Sequence, residues 1–329
     1  MAYKGCYRER IAAIQWSRRS AVLIKIPRGW EIPEREATPE SVYHNRRAFL
    51  KAAGFVGLGS LLEAATANSP YPAKRNPKYE LDRPITEEWA ATGFNNFYEF
   101  TLDKQRVKDT VGAFQISPWK VEVGGLVKNP KTYDVDDLIK RMPLEERLYR
   151  MRCVEAWSMA VPWTGFPISA LLKEVEPKPE AKFMRMVTAY KPEQMPGIRS
   201  QPHYPWPYFE ALRMDEALNE MALFVTGIYG KPLPRQNGAP IRLITPWKYG
   251  LKSIKSIVKI EFTAKQPPTL WNQVGSMEYG WYSNVNPKRP HPRWSQAFEK
   301  VIPTMERRPT LLYNGYEEFV GSLYKGNEY

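Results

Sequence analysis

The chain has 329 residues, a formal net charge of +13, 43% hydrophobic residues and 30 prolines. That is enough apolar material for one large domain or two small ones, and the prolines argue against a helical bundle, because proline is poorly tolerated inside helices and central strands. The charge does not point to nucleic acid: 11 Lys and Arg against 6 Asp and Glu fall in the first 67 residues, which leaves +8 spread over the rest without a dense run, and no zinc-finger spacing or RNA-binding aromatic motif accompanies it. Such a basic balance also suits anionic cofactors, acidic partners or membrane surfaces.

The front end reads as a targeting segment. Asn45-Arg46-Arg47-Ala48-Phe49-Leu50-Lys51 forms a twin-arginine pattern, followed by the mildly apolar Ala52–Leu62 and the small-residue run Ala65-Thr66-Ala67. The apolar run has 11 residues, whereas a membrane-spanning helix needs about 20. Residues 1–67 are therefore expected to be an N-terminal extension and signal peptide, cleaved near Ala67. The rest is expected to reach the periplasm folded, through the twin-arginine translocase. A basic helix start on a soluble domain is the competing reading. Residues 1–44 are long for the segment ahead of such a signal, and translation is expected to begin near Val22. Folded export commonly serves a cofactor inserted in the cytoplasm, which then carries the hard chemistry.

Residues 68–92 are polar and Pro-rich and predict an extended arm; 93–329 are expected to form the main folded domain. Gly93-Phe94-Asn95-Asn96-Phe97-Tyr98-Glu99-Phe100 combines two amides with aromatics, either an ordinary turn or a set of polar groups for a ligand. Val121–Val123 predicts a strand ending at Gly124-Gly125, and Asp134 is a good N-cap for a helix over Val135–Arg141. Alternation along Leu148–Val154 predicts a strand that leaves Cys153 near its end. Cys153 is one of two cysteines, and Cys6 would be lost with the signal. A single remaining cysteine cannot form an intramolecular disulfide. The count alone leaves an inert buried thiol and a used one evenly open. Arg150 and Arg152 tip the balance, since their charge is expected to favour the metal-binding thiolate. His203 and His291 both stand beside prolines, and no Cys-x-x-Cys or His-x-x-x-His pair exists. A zinc or iron–sulfur site built by the protein is thus not expected, and a metal at Cys153 would take most of its ligands from a cofactor.

Further along, Ile168–Glu174 and Leu212–Leu218 predict helices, while Phe183–Ala189, Ala222–Tyr229, Ile241–Thr245 and Ile254–Phe262 predict strands. Asn237-Gly238 signals a turn before Arg242. Lys248, Lys252 and Lys255 follow closely, which suits either a phosphate-bearing ligand or a solvated hairpin edge. The tail is expected to be loop-rich, with a helix near Ser295–Val301. Strands and short helices without regular alternation give an α+β fold class.

Four runs carry a resemblance: Gly93–Phe100, Pro143–Pro167 with Arg152-Cys153-Val154-Glu155-Ala156-Trp157-Ser158, Pro192-Glu193-Gln194-Met195-Pro196-Gly197, and Gln236–Val258. In these the chain resembles the molybdopterin-dependent catalytic subunits of periplasmic protein-methionine-sulfoxide reductase systems, members of the sulfite-oxidase-fold superfamily. The resemblance extends over nearly all of the mature chain. It implies a sulfite-oxidase-like molybdopterin-binding fold of mixed sheets, short helices and many loops, without a C-terminal immunoglobulin-like domain. It implies one molybdenum-molybdopterin per chain, no haem or flavin in this subunit, and Cys153 as the catalytic metal ligand. By the same match, Asn95, Tyr98 and Glu99 would contact the cofactor from the first loop and Thr188 from the end of a strand. Asn237 and Arg242 would hold its phosphate region, with backbone and charge contacts from Ser253, Ile254 and Lys255. Ser253 departs from a frequent Gly, which matters only if that position needs a positive φ.

The implied reaction removes the oxygen atom of methionine sulfoxide in oxidised periplasmic proteins, with electrons from a haem-containing, quinol-linked membrane subunit. A sulfite-oxidase-like enzyme acting on another small sulfur or N-oxide substrate is the nearest alternative; such relatives add an immunoglobulin-like domain, whereas 67 residues follow Phe262. A non-catalytic exported binding protein with an inert Cys153 is the alternative from another class.

Overall fold

A computed structural model describes residues 69–326 and 328. The twin-arginine run, the cleavage pattern and Cys6 lie outside the described residues. The strands are β1 (Lys120–Gly125), β2 (Lys131–Asp134), β3 (Glu145–Arg152), β4 (Trp157–Pro167), β5 (Phe183–Thr188), β6 (Phe209–Arg213), β7 (Leu223–Ile228), β8 (Lys231–Pro232), β9 (Arg242–Ile244), β10 (Ile257–Thr263), β11 (Phe298–Val301) and β12 (Glu306–Pro309).

They form two mixed sheets. One has the order β2-β1-β10-β5-β6, with β1 and β10 parallel and the other pairs antiparallel. The other runs β12-β11-β4-β7-β8, with β3 added on β4 and β9 on β7; β4 and β11 are parallel and the rest antiparallel. This is the α+β arrangement that the irregular alternation of elements predicts.

Local chemistry explains most elements. In β1 alternate residues Val121 and Val123 are buried, the period of a strand with one face on the core. The Asp134 carboxylate accepts the Asp136 amide at 2.9 Å and caps the helix Val135–Arg141. Helix Ile168–Val175 buries Ile168, Leu171, Leu172 and Val175, one stripe at helical spacing. β4 is different: ten of its eleven residues are buried, so it carries no alternation to read.

Three expectations need correction. The arm is not extended throughout. It bridges Arg75 to Glu146 beside β3, then ends in a helix, Glu88–Gly93, that starts inside the stretch assigned to the arm. Leu212–Leu218 divides between the end of β6 and a helix over Met214–Leu218, because Leu212 pairs with Met184 in the first sheet. Ser295–Val301 is not a helix: Phe298–Val301 is β11, lying parallel to β4 at Lys300 and Val301 and antiparallel to β12. Pairing in the sheet overrides the helical propensity of Glu299 and Lys300. Described tail residues such as Val285, Ile302, Tyr316 and Val320 join the main hydrophobic core.

Candidate active site

β3 and β4 pair as far as Arg152 and Ser158, and residues 153–156 form the loop between the two strands. The Cys153 amide donates to the Trp157 carbonyl at 2.9 Å and the Ala156 amide to the Cys153 carbonyl at 3.1 Å. Ala156 completes the turn with a φ of 66°, a conformation uncommon outside glycine. Donors from other elements hold the loop. Trp294 Nε1 and Gln296 Nε2 each donate to the Val154 carbonyl at 2.7 Å, and the Arg152 guanidinium donates to the Cys153 carbonyl.

Cys153 lines a cavity of about 890 Å³ when the open space at its mouth is counted. Asn96 Nδ2 lies 3.3 Å from its sulfur and 2.9 Å from Glu155 Oε2, and the Glu155 amide lies 3.4 Å from the sulfur. Burial, reinforced by the Glu155 carboxylate, pushes the Cys153 thiol up to about 12. The expected thiolate-favouring effect of the two arginines does not prevail. Arg150 is turned to the Asn314 carbonyl at 2.9 Å and to Asp82 at 3.4 Å. Arg152 is engaged by Gln296 at 2.8 Å and by Glu299 at 3.4 Å. Thiolate at Cys153 would therefore require a coordinating metal, whose charge lowers the proton affinity of a bound thiol.

The same cavity is bordered by two cations. Arg242, at the start of β9, is 1% exposed. Its guanidinium donates to the carbonyls of Asn237 at 2.8 Å and Ser253 at 3.1 Å and lies 5.1 Å from the Trp163 ring centre. Burial alone pushes its pKa down; since arginine stays protonated in proteins, this marks a buried charge without an acidic counterpart. Lys255 is half-buried, and its ammonium donates to the Asn96 carbonyl at 2.7 Å. Burial and then Arg242 push that ammonium down, with Glu99 and Cys153 pulling the other way. Burial raises the Glu99 carboxyl, so Glu99 is a weak counter-ion.

Of the residues expected at the cofactor, Asn95, Tyr98, Glu99, Cys153, Asn237, Arg242, Ser253, Ile254 and Lys255 all border this cavity. Thr188 does not. Its hydroxyl donates to the Lys255 carbonyl at 2.8 Å, so it stands behind the wall and fixes the backbone of Lys255. Ser253 has a φ of −82°, so a side chain there costs no backbone strain. The sequence reading did not single out Asn96, Glu155 and Lys104, although the first two lie inside runs that it quoted. Glu155 is ion-paired to Lys104 at 3.1 Å. Burial works to raise its carboxyl, but Asn96, Lys104 and Trp157 hold it below its ordinary range. It also missed Trp271 and Tyr279, which continue from Tyr98 as an aromatic wall of the cavity, with ring centres 5.5 Å and 5.0 Å apart in succession.

The donor set fits an anionic group that brings its own metal ligands. Cys153 is the one described free cysteine, and no group of three or more His, Cys, Asp or Glu suited to a metal occurs among the described residues. Arg242 offers positive charge to the cavity, and three polar atoms on its lining residues, Asn96 Oδ1, Asn237 Oδ1 and Trp163 Nε1, are buried without a hydrogen-bond partner. Buried polar atoms of this kind call for a ligand.

Comparison with known proteins defines the class first. Residues 108–271 match the oxidoreductase molybdopterin binding domain. The protein-methionine-sulfoxide reductase catalytic subunit MsrP of Burkholderia mallei is 50% identical over 313 residues, spanning 91% of this chain and 94% of that one. Its counterpart from Ralstonia nicotianae is 48% identical over 317 residues, spanning 91% and 95%. This chain belongs to the family of molybdopterin-binding protein-methionine-sulfoxide reductase catalytic subunits. A more distant similarity joins it to the sulfane dehydrogenase SoxCD from Paracoccus pantotrophus, with a TM-score of 0.41 and 16% identity over 61% of this chain and 58% of that one.

Proposed function

We propose that this protein removes the oxygen atom from methionine sulfoxide in exported proteins of the periplasm, returning methionine and so repairing them. The observation that carries the reading is the convergence of the Cys153 thiol, the two cations and the Asn95–Glu99 segment on one cavity, in a chain 50% identical to a protein-methionine-sulfoxide reductase catalytic subunit.

Molybdopterin, when bound, supplies two-electron oxygen-atom chemistry at molybdenum. Cys153 would be the protein's ligand to the metal. Arg242 and Lys255 would neutralise the phosphate end, with Asn237, Ser253 and Ile254 adding polar and backbone contacts. Asn95 and Glu99 would border the pterin. Asn96 and the Glu155 amide would orient the Cys153 sulfur, a role that outer partners of metal ligands commonly play. The Tyr98 phenol, kept protonated chiefly by burial and then by Glu155 and Cys153, would be a hydrogen-bond donor in the cavity. Trp271 and Tyr279 would receive the thioether portion of a methionine side chain, since sulfur packs favourably at aromatic rings.

The Asn45–Lys51 run supports export of the folded protein by the twin-arginine translocase. The family resemblance supports a haem-containing, quinol-linked membrane subunit as electron donor, with no haem or flavin in this chain. Metal analysis of the purified mature protein, joined to sulfoxide reduction with an artificial electron donor, tests the reading. Molybdenum and turnover are expected together, and Cys153→Ser is expected to abolish turnover while circular dichroism stays unchanged. Turnover retained in Cys153→Ser, or a parent protein without molybdenum, would sink the assignment. Arg46→Lys with Arg47→Lys should leave the precursor in the cytoplasm on fractionation.

A further inference from the structure

A basic surface loop touches the Cys153 hairpin. Residues 288–294 read Lys-Arg-Pro-His-Pro-Arg-Trp, and Lys288, Arg289 and Arg293 are exposed. The loop is fixed internally. The Asn286 side chain accepts the Lys288 amide at 2.9 Å, His291 Nδ1 accepts the Arg293 amide at 3.2 Å, and the His291 and Trp294 rings stack with centres 3.8 Å apart and planes 5° from parallel. Glu278 faces it, 2.7 Å from Arg293 and 3.3 Å from His291. The loop's own residues hold three cationic side chains and no acidic one, so it is basic.

The inner end of this loop touches the site. Half-buried Trp294 donates its indole N–H to the Val154 carbonyl at 2.7 Å, and Val154 is bonded to Cys153. From the indole to the Cys153 sulfur the route is one hydrogen bond and then covalent backbone. Electronic coupling falls exponentially with distance and is carried better through bonds than across gaps.

We propose that the 288–294 loop is the docking point of the electron-donating protein and that Trp294 couples the docked donor to Cys153. The proposal rests on the sulfoxide-reductase reading. Each sulfoxide takes up two electrons and two protons; its sulfur–oxygen bond breaks, the sulfur leaves as the thioether and the oxygen leaves as water. A haem donor supplies the electrons in two encounters, two ferrous haems becoming ferric, and solvent supplies the protons. The charge of the loop selects a donor with an acidic face around its haem. Small charged patches suit the brief encounters of electron-transfer partners, and opposite charges raise the rate of productive collision.

The test compares two reductants on the full-length, cofactor-loaded protein: a small viologen dye, and the haem-containing membrane subunit in detergent, reduced with quinol. Lys288→Glu with Arg289→Glu should leave viologen-driven reduction of free methionine sulfoxide and of an oxidised protein unchanged. The same variant should lower turnover driven by the haem subunit about tenfold at low ionic strength, and remove its fall with added salt. Trp294→Phe keeps a ring but loses the N–H. It should lower the maximal rate with the haem subunit more than the rate with viologen, at an unchanged half-saturating concentration of the subunit. Equal haem-subunit rates in parent and charge-reversed proteins overturn the proposal, as does a haem subunit that fails to reduce the parent. A charge-reversed protein altered only in its KM for oxidised protein would give the loop to the substrate and overturn it equally. A parent protein that does not turn over with viologen refutes the reductase reading instead.

Discussion

Four cations fall between Arg242 and Lys255, and they are of two kinds. Lys248 and Lys252 are paired: Lys248 Nζ lies 2.6 Å from Glu216 and Lys252 Nζ 2.8 Å from Glu210, with all four side chains fully buried. Burial pushes the Lys248 ammonium down to about 8 against the pull of Glu216. Burial works to raise the Glu216 carboxyl, yet Lys248, the Tyr324 hydroxyl and the Arg213 amide hold it below its ordinary range. Arg242 and Lys255 form no ion pair of this kind: Arg242 has no acidic counterpart, the pull of Glu99 on Lys255 is outweighed by burial and Arg242, and both cations border the cavity. The first pair ties the segment to β6 and the helix Met214–Leu218; the second presents charge to a ligand. A buried cation with a carboxylate is explained by the fold alone, whereas one without it points to an anion that the fold expects.

The largest effect should come from breaking a paired cation. Lys248→Met leaves the Glu216 carboxylate buried with its main counter-charge gone, which should cost about 3–5 kcal/mol. Urea denaturation of the cofactor-free protein measures this, and the loss should be the same whether or not molybdenum was ever loaded. Adding Glu216→Leu should recover most of it, because an apolar pair of similar volume often replaces a buried ion pair without loss. If the double variant stays as unstable as the single one, the ion pair is not what holds this segment.

Arg242→Met asks the opposite question. It forfeits hydrogen bonds to the carbonyls of Asn237 and Ser253 but also removes an uncompensated charge. The two effects oppose each other, so the cofactor-free protein should change by less than about 2 kcal/mol. Molybdenum content after purification should fall sharply instead. Destabilisation of the cofactor-free protein as large as that of Lys248→Met would erase the distinction between the two kinds of cation.

This distinction was only half legible in the sequence. Arg242 and the three lysines stand out as a cluster of charge, and the family resemblance separates Arg242 and Lys255 from the others. Nothing local shows that Lys248 and Lys252 point to Glu216 and Glu210, because those contacts cross 32 and 42 positions of chain. The same limit explains the fold. Elements with one exposed face, such as β1 and the capped helix Val135–Arg141, announce themselves through periodicity and capping. β4, enclosed on all sides and interrupted by Pro162 and Gly165, does not, and β11 is a strand only because β4 and β12 pair with it. Cys153 was legible from counting cysteines, but its environment was not: the adjacent arginines pointed to a thiolate, while their side chains are held by Asn314, Gln296 and Glu299.

Glycines give the finest test. Gly238 has a φ of +97°, and a Cβ there would stand 2.7 Å from both Cβ and Cγ of Lys255. Gly238→Ala should therefore cost about 1–2 kcal/mol through its left-handed backbone, and it should also displace the one cation whose stem it touches. Gly250 lies in the same segment and also borders the cavity, and a Cβ there would meet the flexible end of Met151 at 3.0 Å and, at ordinary contact distance, the Arg152 carbonyl oxygen at 3.7 Å. Gly250→Ala should stay within about 0.5 kcal/mol of the parent, as substitutions outside special backbone positions commonly do. Molybdenum retention per folded protein is the deciding measurement, because it removes the difference in stability. If Gly238→Ala loses cofactor and Gly250→Ala keeps it, the position of the Lys255 ammonium matters in its own right. If both retain it equally, Lys255 is a bystander and Arg242 alone supplies the charge that the cavity presents.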